Sequence, residues 1–220
     1  MPNVNTLIEG AKTLDIDLSR DEIDKFILYK KLLKEWNQKI NITSITDDEE
    51  IDIKHFIDSL TLLNTNLFKG KSKVIDIGTG GGFPGIPLKI INQDLNMVLL
   101  DSLNKRIVFL DEVINKLKLK DITAIHGRAE ELSRTKDYRE IYDIAVSRAV
   151  ASLDTLSEYS LPFVKVGGYF ISMKGSNIDE ELKEAEKGIK ILGGKIQDKK
   201  IITLPLSDIS HSLIIIEKIK

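Results

Sequence analysis

The stretch that decides the fold is V-I-D-I-G-T-G-G-G-F-P-G, residues 74 to 85. A short β-branched run leads into glycines at positions 78, 80, 81 and 82. Such a turn lets backbone N–H groups approach a ligand closely, because no Cβ atoms stand in the way. The pattern predicts a nucleotide-type cofactor loop. The alternative is a tight structural turn that is capped by the acid at Asp76.

Beyond this loop, short apolar runs alternate with longer helical patterns, which is typical of βαβ units around a parallel sheet. The strand candidates are 74–77, 97–101, 122–126, 142–147 and 168–173. The helix candidates are 85–91, 104–117, 129–133, 152–164 and 179–192. Two further strand-like runs, 196–204 and 212–217, have no helix between them and predict a closing antiparallel hairpin. The chain is therefore predicted to be an α/β protein with a Rossmann-like, seven-stranded, mostly parallel sheet.

The N-terminal part has a different pattern. An S-R-D-E capping box at 19 to 22 begins an amphipathic helix, and a second amphipathic segment covers 51 to 63. We therefore expect a small helical lobe over residues 1–68, followed by the main domain over 69–220.

Composition narrows the class of protein. With 220 residues, 42% hydrophobic and 30% charged, the chain can bury one sizeable core. No apolar run is long enough to span a membrane and no signal peptide is visible, so we expect a cytoplasmic protein without membrane contact. The absence of cysteine excludes disulfides and a cysteine nucleophile, and the three scattered histidines predict no metal site. A monomer is expected.

The identity of the cofactor depends on two acids. Asp101 ends the second predicted strand, where a carboxylate can accept hydrogen bonds from ribose hydroxyls; a helix N-terminal carboxylate is the alternative. Asp76 lies inside the first strand and forms D-x-G-x-G-x-G with Gly78, Gly80 and Gly82. This form, the terminal hairpin and the lack of a second large domain favour S-adenosylmethionine (SAM), whose cationic groups suit a nearby carboxylate. The prediction is a class I SAM-dependent methyltransferase, with an NAD-dependent oxidoreductase as the alternative.

Longer motifs carry a resemblance to a known family. In the main domain they are D-I-G-T-G-G-G-F-P-G-I-P-L-K-I from 76, L-L-D-S-L-N-K-R at 99 to 106, G-R-A-E-E at 127 to 131 and S-R-A-V-A-S-L at 147 to 153. The lobe adds W-N-x-x-I-N-I-T-S at 36 to 44 and H-F-I-D-S-L at 55 to 60. Together they resemble the glucose-inhibited division protein B family, the bacterial small-subunit rRNA guanine-N7 methyltransferases. The resemblance implies 16S ribosomal RNA, or the small ribosomal subunit, as the partner.

The same resemblance implies a set of cofactor contacts: Gly78, Phe83, Ala129, Glu130 and Arg148, with Asp101 and Ser102 near the ribose. The residues themselves fit this assignment. The loop after a third strand can reach the adenine edge through the Ala129 backbone and the Glu130 side chain, although a solvated helix start also explains Glu130. Phe83 either covers the ligand or packs against the next helix, and we favour contact with the cofactor.

The segment after the fourth strand indicates the acceptor chemistry. It reads Ser147-Arg148-Ala149, and the chain has no Pro-Pro turn of the kind common in enzymes that methylate the amino group of adenine. Methylation of pyrimidine C5 requires a cysteine nucleophile, which is absent. Guanine N7 has a lone pair and no proton, so it needs only positioning. We expect Arg148 to position the cofactor or the guanine, with an ion pair to Glu130 or Asp143 as the alternative.

RNA binding leaves the weakest signal. Basic side chains expected mostly near carboxyl ends of strands can form a rim that contacts phosphates: Lys105, Arg106, Arg128, Arg134, Arg139, Lys165 and Lys174. Solvated surface charge is the alternative for each of them. A non-catalytic SAM-sensing or RNA-assembly protein also stays open, because N7 transfer requires no protonating residue.

Overall fold

The computed structural model describes residues 4–148 and 151–220, so Ala149 and Val150 of the S-R-A-V-A-S-L motif lie outside the described residues. One sheet has the order β3-β2-β1-β4-β5-β7-β6. Its strands are β1 (Lys73–Ile77), β2 (Asn96–Asp101), β3 (Ile122–His126), β4 (Tyr142–Ser147), β5 (Val164–Gly175), β6 (Gly194–Thr203) and β7 (Ser210–Lys218). Strand β7 runs antiparallel to β5 and β6, whereas the pairs from β3 to β5 are parallel. The predicted seven-stranded Rossmann-like sheet and its terminal hairpin are confirmed.

Both faces of the sheet are covered, because successive side chains of a strand point to opposite faces. In β1, Val74 joins one apolar cluster while Ile75 and Ile77 join the other. The helices that follow the strands are α5 (Gly85–Ile91), α6 (Asn104–Lys116), α7 (Ala129–Leu132), α8 (Leu153–Ser160) and α9 (Asp179–Ile191). This layering brings the carboxyl ends of β1 to β4 to one edge of the sheet, together with the start of β7.

The N-terminal lobe is helical, as predicted. It contains α1 (Asn5–Thr13) and α2 (Arg20–Asn37), and the α2 N-terminus has a complete capping box between Ser19 and Glu22. The second predicted segment begins earlier than expected, because the Asp47 side chain caps it by accepting from two backbone N–H groups. It runs through α3 (Asp48–Ile51), a π-helical stretch (Asp52–Ile57), α4 (Asp58–Leu60) and a 3-10 helix (Thr61–Thr65).

The lobe packs directly on the sheet layer. Phe26 and Phe56 are fully buried in the same apolar cluster as Ile86 of α5 and Phe109 of α6, so these lobe aromatics belong to the core. The Tyr29 hydroxyl also donates a hydrogen bond to the Gly81 carbonyl of the glycine turn. The lobe and the turn are therefore fixed against each other, whereas the domain boundary at residue 68 stays a prediction.

Around β5 the predicted boundaries are wrong. Helix α8 ends at Ser160, a 3-10 turn covers Leu161–Phe163, and β5 begins at Val164 rather than at Gly168. Pro162 lacks a backbone N–H and cannot continue an α-helix comfortably, so the chain leaves the helix earlier than apolar spacing suggests. A register irregularity between Tyr142 and Ile144 of β4 accommodates this early start of β5.

None of the helices in the described residues has the length and apolar character needed to cross a membrane. In the same part of the chain, no three His, Asp or Glu side chains are grouped so that they could hold a metal ion.

Candidate active site

The glycine turn lies directly after β1 and has the backbone conformation that glycine is needed for. Gly78 has φ +70° and Gly80 has φ +61°, both in the left-handed region. The Gly78 N–H donates to the Leu100 carbonyl, and the Gly80 N–H donates to Asp101 Oδ2 at 2.9 Å. The turn is thereby attached to the end of β2, the strand that carries the second predicted acid.

Asp76 is fully buried beneath this turn. Its Oδ2 accepts from the Thr79 hydroxyl at 2.7 Å and from the Gly85 N–H at 2.8 Å, so the carboxyl group caps both the turn and α5. Its Oδ1 is buried and has no hydrogen-bond partner among the described residues. Burial raises the pKa of Asp76 to about 7, although both hydrogen bonds oppose that shift. A cationic group at this position would stabilise the ionised form, so the acid fits a cationic ligand.

A crevice opens at the carboxyl edge of the sheet, with a volume of about 340 Å3. We call it the edge crevice, and its walls are Ile77, Gly78, Leu100, Asp101, Ser102, Gly127, Arg128, Ala129, Glu130, Ala151, Leu156 and Tyr159. Apolar side chains at the ends of β1 and β2 and from α8 meet a few polar groups there. This combination is typical of small-molecule sites in open α/β folds. Five predicted cofactor residues are brought together: Gly78, Asp101, Ser102, Ala129 and Glu130.

Asp101 is a carboxylate at the start of a helix, as the alternative held, and its contact with the ribose stays a prediction. Its Oδ1 accepts from the Leu103 N–H at 2.9 Å, at the start of α6, and Arg106 contacts Oδ2 at 3.2 Å. Together with the Gly80 N–H, these donors use three of the roughly four lone-pair sites of a carboxylate. Asp101 is itself part of the wall of the edge crevice, so a ribose hydroxyl there can donate to the remaining acceptor site of its carboxylate.

The loop after β3 supplies the opposite wall. Ala129 is buried. Glu130 is partly exposed, and its Oε1 lies 3.4 Å from a guanidinium nitrogen of Arg128. The Glu130 carboxylate therefore has only a weak surface partner and stays accessible. Both readings of Glu130, a helix start and a ligand contact, are compatible with this geometry.

Phe83 and Arg148 lie on the other side of the turn, against the helical lobe. The Phe83 ring is buried and stacks on Tyr29 and on His55, with centroids 5.4 and 4.4 Å away. The Arg148 guanidinium carbon lies 5.0 Å from the Phe83 centroid. This packing favours the alternative in which Phe83 is a core plug, and its predicted contact with the cofactor stays a prediction.

Arg148 is held by the lobe rather than by the residues that the sequence suggested. Its NH1 donates to Asp58 Oδ2 at 2.6 Å and to the Lys54 carbonyl at 2.9 Å. The expected partners are engaged elsewhere, Glu130 with Arg128 and Asp143 with Lys165. The alternative was thus correct that Arg148 forms an ion pair and wrong about its partner, because pairing across the lobe is invisible in local sequence.

His55 is a buried, neutral histidine. Arg148 NH2 lies 3.0 Å from its Nδ1, and a guanidinium can only donate, so Nδ1 accepts and the ring proton is on Nε2. Nε2 then donates to the Thr43 hydroxyl at 2.8 Å. Burial, followed by the nearby Arg148 charge, lowers the pKa of His55 to about 3. Both ring nitrogens are engaged, so His55 cannot act as a proton acceptor.

A second cavity of about 360 Å3 opens where the lobe meets the β6–β7 turn. We call it the lobe cleft, and it is lined by Ile45, Lys54, His55, Asp58, Arg148, Leu204, Ile209 and His211. Asp58 connects two of its walls, because His211 Nδ1 lies 2.9 Å from the Asp58 Oδ1 while Arg148 occupies Oδ2. Burial opposes ionisation of Asp58, but the His211 and Arg148 contacts outweigh it and lower its pKa.

The predicted basic rim is wrong at two positions. Lys165 is the second residue of β5 and pairs with Asp143 at 2.5 Å, and Arg139 precedes β4, so both lie near the amino ends of strands, away from the edge crevice. Other members are ion-paired: Arg106 with Asp101, Arg128 with Glu130, and Lys174 with Glu181. Lys105 and Arg134 are exposed and have no ion pair within the described part of the chain.

The sequence analysis assigned no role to several residues that line these two cavities. Asp58 lies in the H-F-I-D-S-L motif, so a signal for it existed, but nothing local showed what it contacts. His211 is an isolated histidine at the start of β7 and had no recognisable signal. Tyr159 lines the edge crevice from α8, where helical spacing alone suggested only packing.

The sheet order, the antiparallel seventh strand and the edge crevice after β1 and β2 define a class I SAM-dependent methyltransferase. Residues 22–205 match the family described as rRNA small subunit methyltransferase G. The chain is 53% identical over 214 residues to Ribosomal RNA small subunit methyltransferase G of Alkaliphilus oremlandii, covering 97% of this chain and 90% of the relative. It is 56% identical to the protein of that name from Acetivibrio thermocellus, with 97% and 88% covered. The chain belongs to the rRNA small subunit methyltransferase G family.

Solved structures agree on the fold alone. Precorrin-6y C5,15-methyltransferase from Geobacter metallireducens superposes with a TM-score of 0.54 at 13% identity, covering 81% of this chain and 92% of that one. The cyclase SpnF gives 0.57 at 13%, with 74% and 81% covered. Family membership, rather than these likenesses, identifies SAM as the cofactor and excludes the NAD-dependent and non-catalytic alternatives.

Proposed function

We propose that this chain transfers the methyl group of SAM to N7 of a guanine in 16S ribosomal RNA. The names of its relatives support small-subunit ribosomal RNA as the substrate. The guanine and its N7 atom are supported by residue chemistry, which argues against the other common acceptors. The observation that carries the proposal is the pair of neighbouring cavities, one suited to the cofactor and the other lined by acidic and histidine side chains that are already paired.

Each part of the cofactor has candidate residues in or beside the edge crevice. Asp101 and Ser102 are placed to contact the ribose, and Ala129 with Glu130 to contact the adenine edge. Gly78 and Gly80 allow close approach of the backbone, and Asp76 lies under the turn with its unpartnered oxygen. When bound, SAM supplies an electrophilic methyl group attached to a sulfonium. Arg148 and Phe83 then lie at the side from which the acceptor arrives.

The acceptor chemistry follows from what the site can and cannot do. Attack by N7 through its in-plane lone pair forms a nitrogen–carbon bond, leaves the electron pair of the carbon–sulfur bond on sulfur, and passes the positive charge to the purine. No proton is removed, so no general base is required. His55 has both nitrogens engaged, and Asp58 has both oxygens paired. The two ring nitrogens of His211 lie 2.9 Å from Asp58 Oδ1 and 3.4 Å from the Thr61 hydroxyl. The contribution of the protein is therefore to hold the reacting atoms in line.

The remaining expectations are part of this proposal. We propose that residues 1–68 form a lobe that seats the RNA beside the methyltransferase domain at 69–220. Lys105, near the start of α6, and the exposed Arg134 have no ion pair among the described residues, and both are suited to phosphate contacts. A monomer in the cytoplasm stays the expected state.

The test is methyl transfer from labelled SAM to small ribosomal subunits and to naked 16S RNA, followed by digestion to nucleosides and mass spectrometry. We expect label only in 7-methylguanosine. RNA that already carries the modification, taken from cells with the enzyme, is the matched control and should accept no label. Label in a pyrimidine, in an exocyclic amine or in neither RNA preparation would contradict the proposal.

A further inference from the structure

The lobe cleft lies next to the edge crevice but is built from different parts of the chain. Arg148 lines the lobe cleft, and Ala151 lines the edge crevice only three residues later. Three residues span at most about 11 Å, so the wall of one cavity at Arg148 lies within that distance of the wall of the other at Ala151. Building on the proposed function, we propose that the lobe cleft receives the base of the acceptor guanine, and that Asp58, which also pairs with His211, is the positioning residue that orients Arg148 toward it.

The walls of the lobe cleft match the chemistry of a nucleobase. Ile45 of the lobe and Leu204 and Ile209 of the β6–β7 turn provide apolar surface, which suits the flat faces of a purine. The Leu204 N–H donates to the Ile209 carbonyl at 2.8 Å, so these two walls are held together. Arg148 provides the polar side, which suits the edge of the base, and His211 lies in the same wall with its nitrogens next to Asp58 and Thr61. A base enters such a cleft only after leaving its stack in the RNA.

Arg148 has donors to spare for the base. Three of the five guanidinium N–H groups have acceptors among the described residues, at Lys54, His55 and Asp58. These contacts fix the plane of the guanidinium, which also stacks over Phe83. N7 must keep its lone pair free for the methyl carbon, so the acceptor available to Arg148 is guanine O6.

Asp58 is the residue on which this arrangement depends. It is 7% exposed, and its two oxygens hold Arg148 from the end of β4 and His211 from the start of β7. Both strand ends lie at the carboxyl edge, where β5 Gly175 pairs with His211. A lobe residue thus aligns two side chains that the sheet brings close together but does not itself orient.

The first test fills the cleft without touching the edge crevice. In Ile209→Trp, the indole should occupy the space meant for the base, so kcat/KM for small subunits should fall at least tenfold. The dissociation constant of S-adenosylhomocysteine, measured by calorimetry, should stay within twofold. Ile201→Trp is the matched control, since Ile201 is an exposed isoleucine on the same hairpin outside the cleft, and both of its values should match wild type. Wild-type kcat/KM in Ile209→Trp would overturn the assignment.

The second test removes the charge at Asp58 but keeps its volume. Asp58→Asn should lower kcat at least tenfold at saturating small subunits, because Arg148 loses its anchor. KM for the subunits and the dissociation constant of S-adenosylhomocysteine should change by less than threefold. A merely structural Asp58 would instead weaken cofactor binding in parallel with thermal stability, and that result, or full turnover, would overturn the positioning role.

The wild-type protein separates failure of this inference from failure of the proposed function. If wild type transfers no methyl group to guanine N7, the proposed function itself fails. If wild type transfers and Ile209→Trp does so equally well, only the assignment of the lobe cleft fails.

Discussion

The edge crevice and the lobe cleft are neighbours, yet they are built in different ways. The edge crevice is formed mostly by strand ends and the turns that immediately follow them, such as Gly78 after β1 and Asp101 at the end of β2. The lobe cleft joins Asp58, Arg148 and His211, which are about 90 and 60 residues apart in sequence. Local motifs suffice to build a cofactor site, whereas an acceptor site depends on how separate segments pack.

The largest effect is expected at Asp101, and it tests whether the edge crevice is the cofactor site. In Asp101→Ala, the Gly80 and Leu103 N–H groups lose their acceptor and a ribose hydroxyl loses its partner. Hydrogen bonds to a charged group contribute about 1.5–3 kcal/mol each, so the dissociation constant of S-adenosylhomocysteine should rise about 100-fold or more. Calorimetry measures it, and Asp137→Ala, at an exposed acid, is the control. An unchanged constant would show that the edge crevice is not the cofactor site.

The pH dependence of cofactor binding tests the buried acid of the edge crevice. The pKa of Asp76 is raised to about 7 by burial, so its ionised form, which suits a cationic ligand, gains population as pH rises from 6 to 8. S-adenosylmethionine should bind about tenfold more tightly at pH 8 than at pH 6. Asp76→Asn cannot ionise and should give a flat profile. A wild-type profile as flat as that of the variant would exclude Asp76 from contact with the cationic groups.

The same group has the opposite effect on the unliganded fold. The pKa of Asp76 is higher in the folded protein than the value of 3.8 in the unfolded chain. The protonated carboxyl therefore contributes stability that is fully present below the unfolded pKa. This stabilisation is lost as pH rises through about 7. Cofactor should therefore raise the melting temperature more at pH 8 than at pH 6, which thermal denaturation with and without ligand can measure.

A smaller effect is expected where the two regions are joined. Tyr29→Phe removes the hydroxyl that donates to the Gly81 carbonyl and leaves that carbonyl without this donor. The free energy of unfolding should fall by about 1–2 kcal/mol, and the cofactor should bind several-fold more weakly, because the turn is less firmly held. Denaturant titration and calorimetry provide the two values. Tyr169→Phe is the matched control, since the half-buried Tyr169 hydroxyl has no hydrogen-bond partner among the described residues.

The smallest effect concerns the two edges of the sheet. Lys105 is the second residue of α6, at the carboxyl edge, and is exposed, whereas Lys165 lies near the amino end of β5 and pairs with Asp143. Lys105→Ala should weaken binding to small subunits two- to threefold and reduce the salt dependence by about one phosphate contact. Lys165→Ala should change neither value. Equal effects of the two variants would argue that the RNA does not bind preferentially at the carboxyl edge of the sheet.

The sequence by itself predicted the succession of strands and helices along the chain, the glycine turn and the acids at 76 and 101. These predictions succeed because strand periodicity, left-handed glycines and strand-end carboxylates are short-range properties of the sequence. The early start of β5 was missed, because a proline changes the helix end within an otherwise apolar pattern.

Tertiary structure alone decided what Arg148, Phe83 and His211 contact. Arg148 pairs with Asp58 of the lobe, Phe83 stacks within the lobe aromatics, and His211 reaches the same carboxylate from β7. An ion pair or a ring stack depends on positions in space, and residues far apart in the chain leave no periodic trace of such a contact. The sequence thus determined a fold with a cofactor edge, and packing of the lobe determined how its arginine is held.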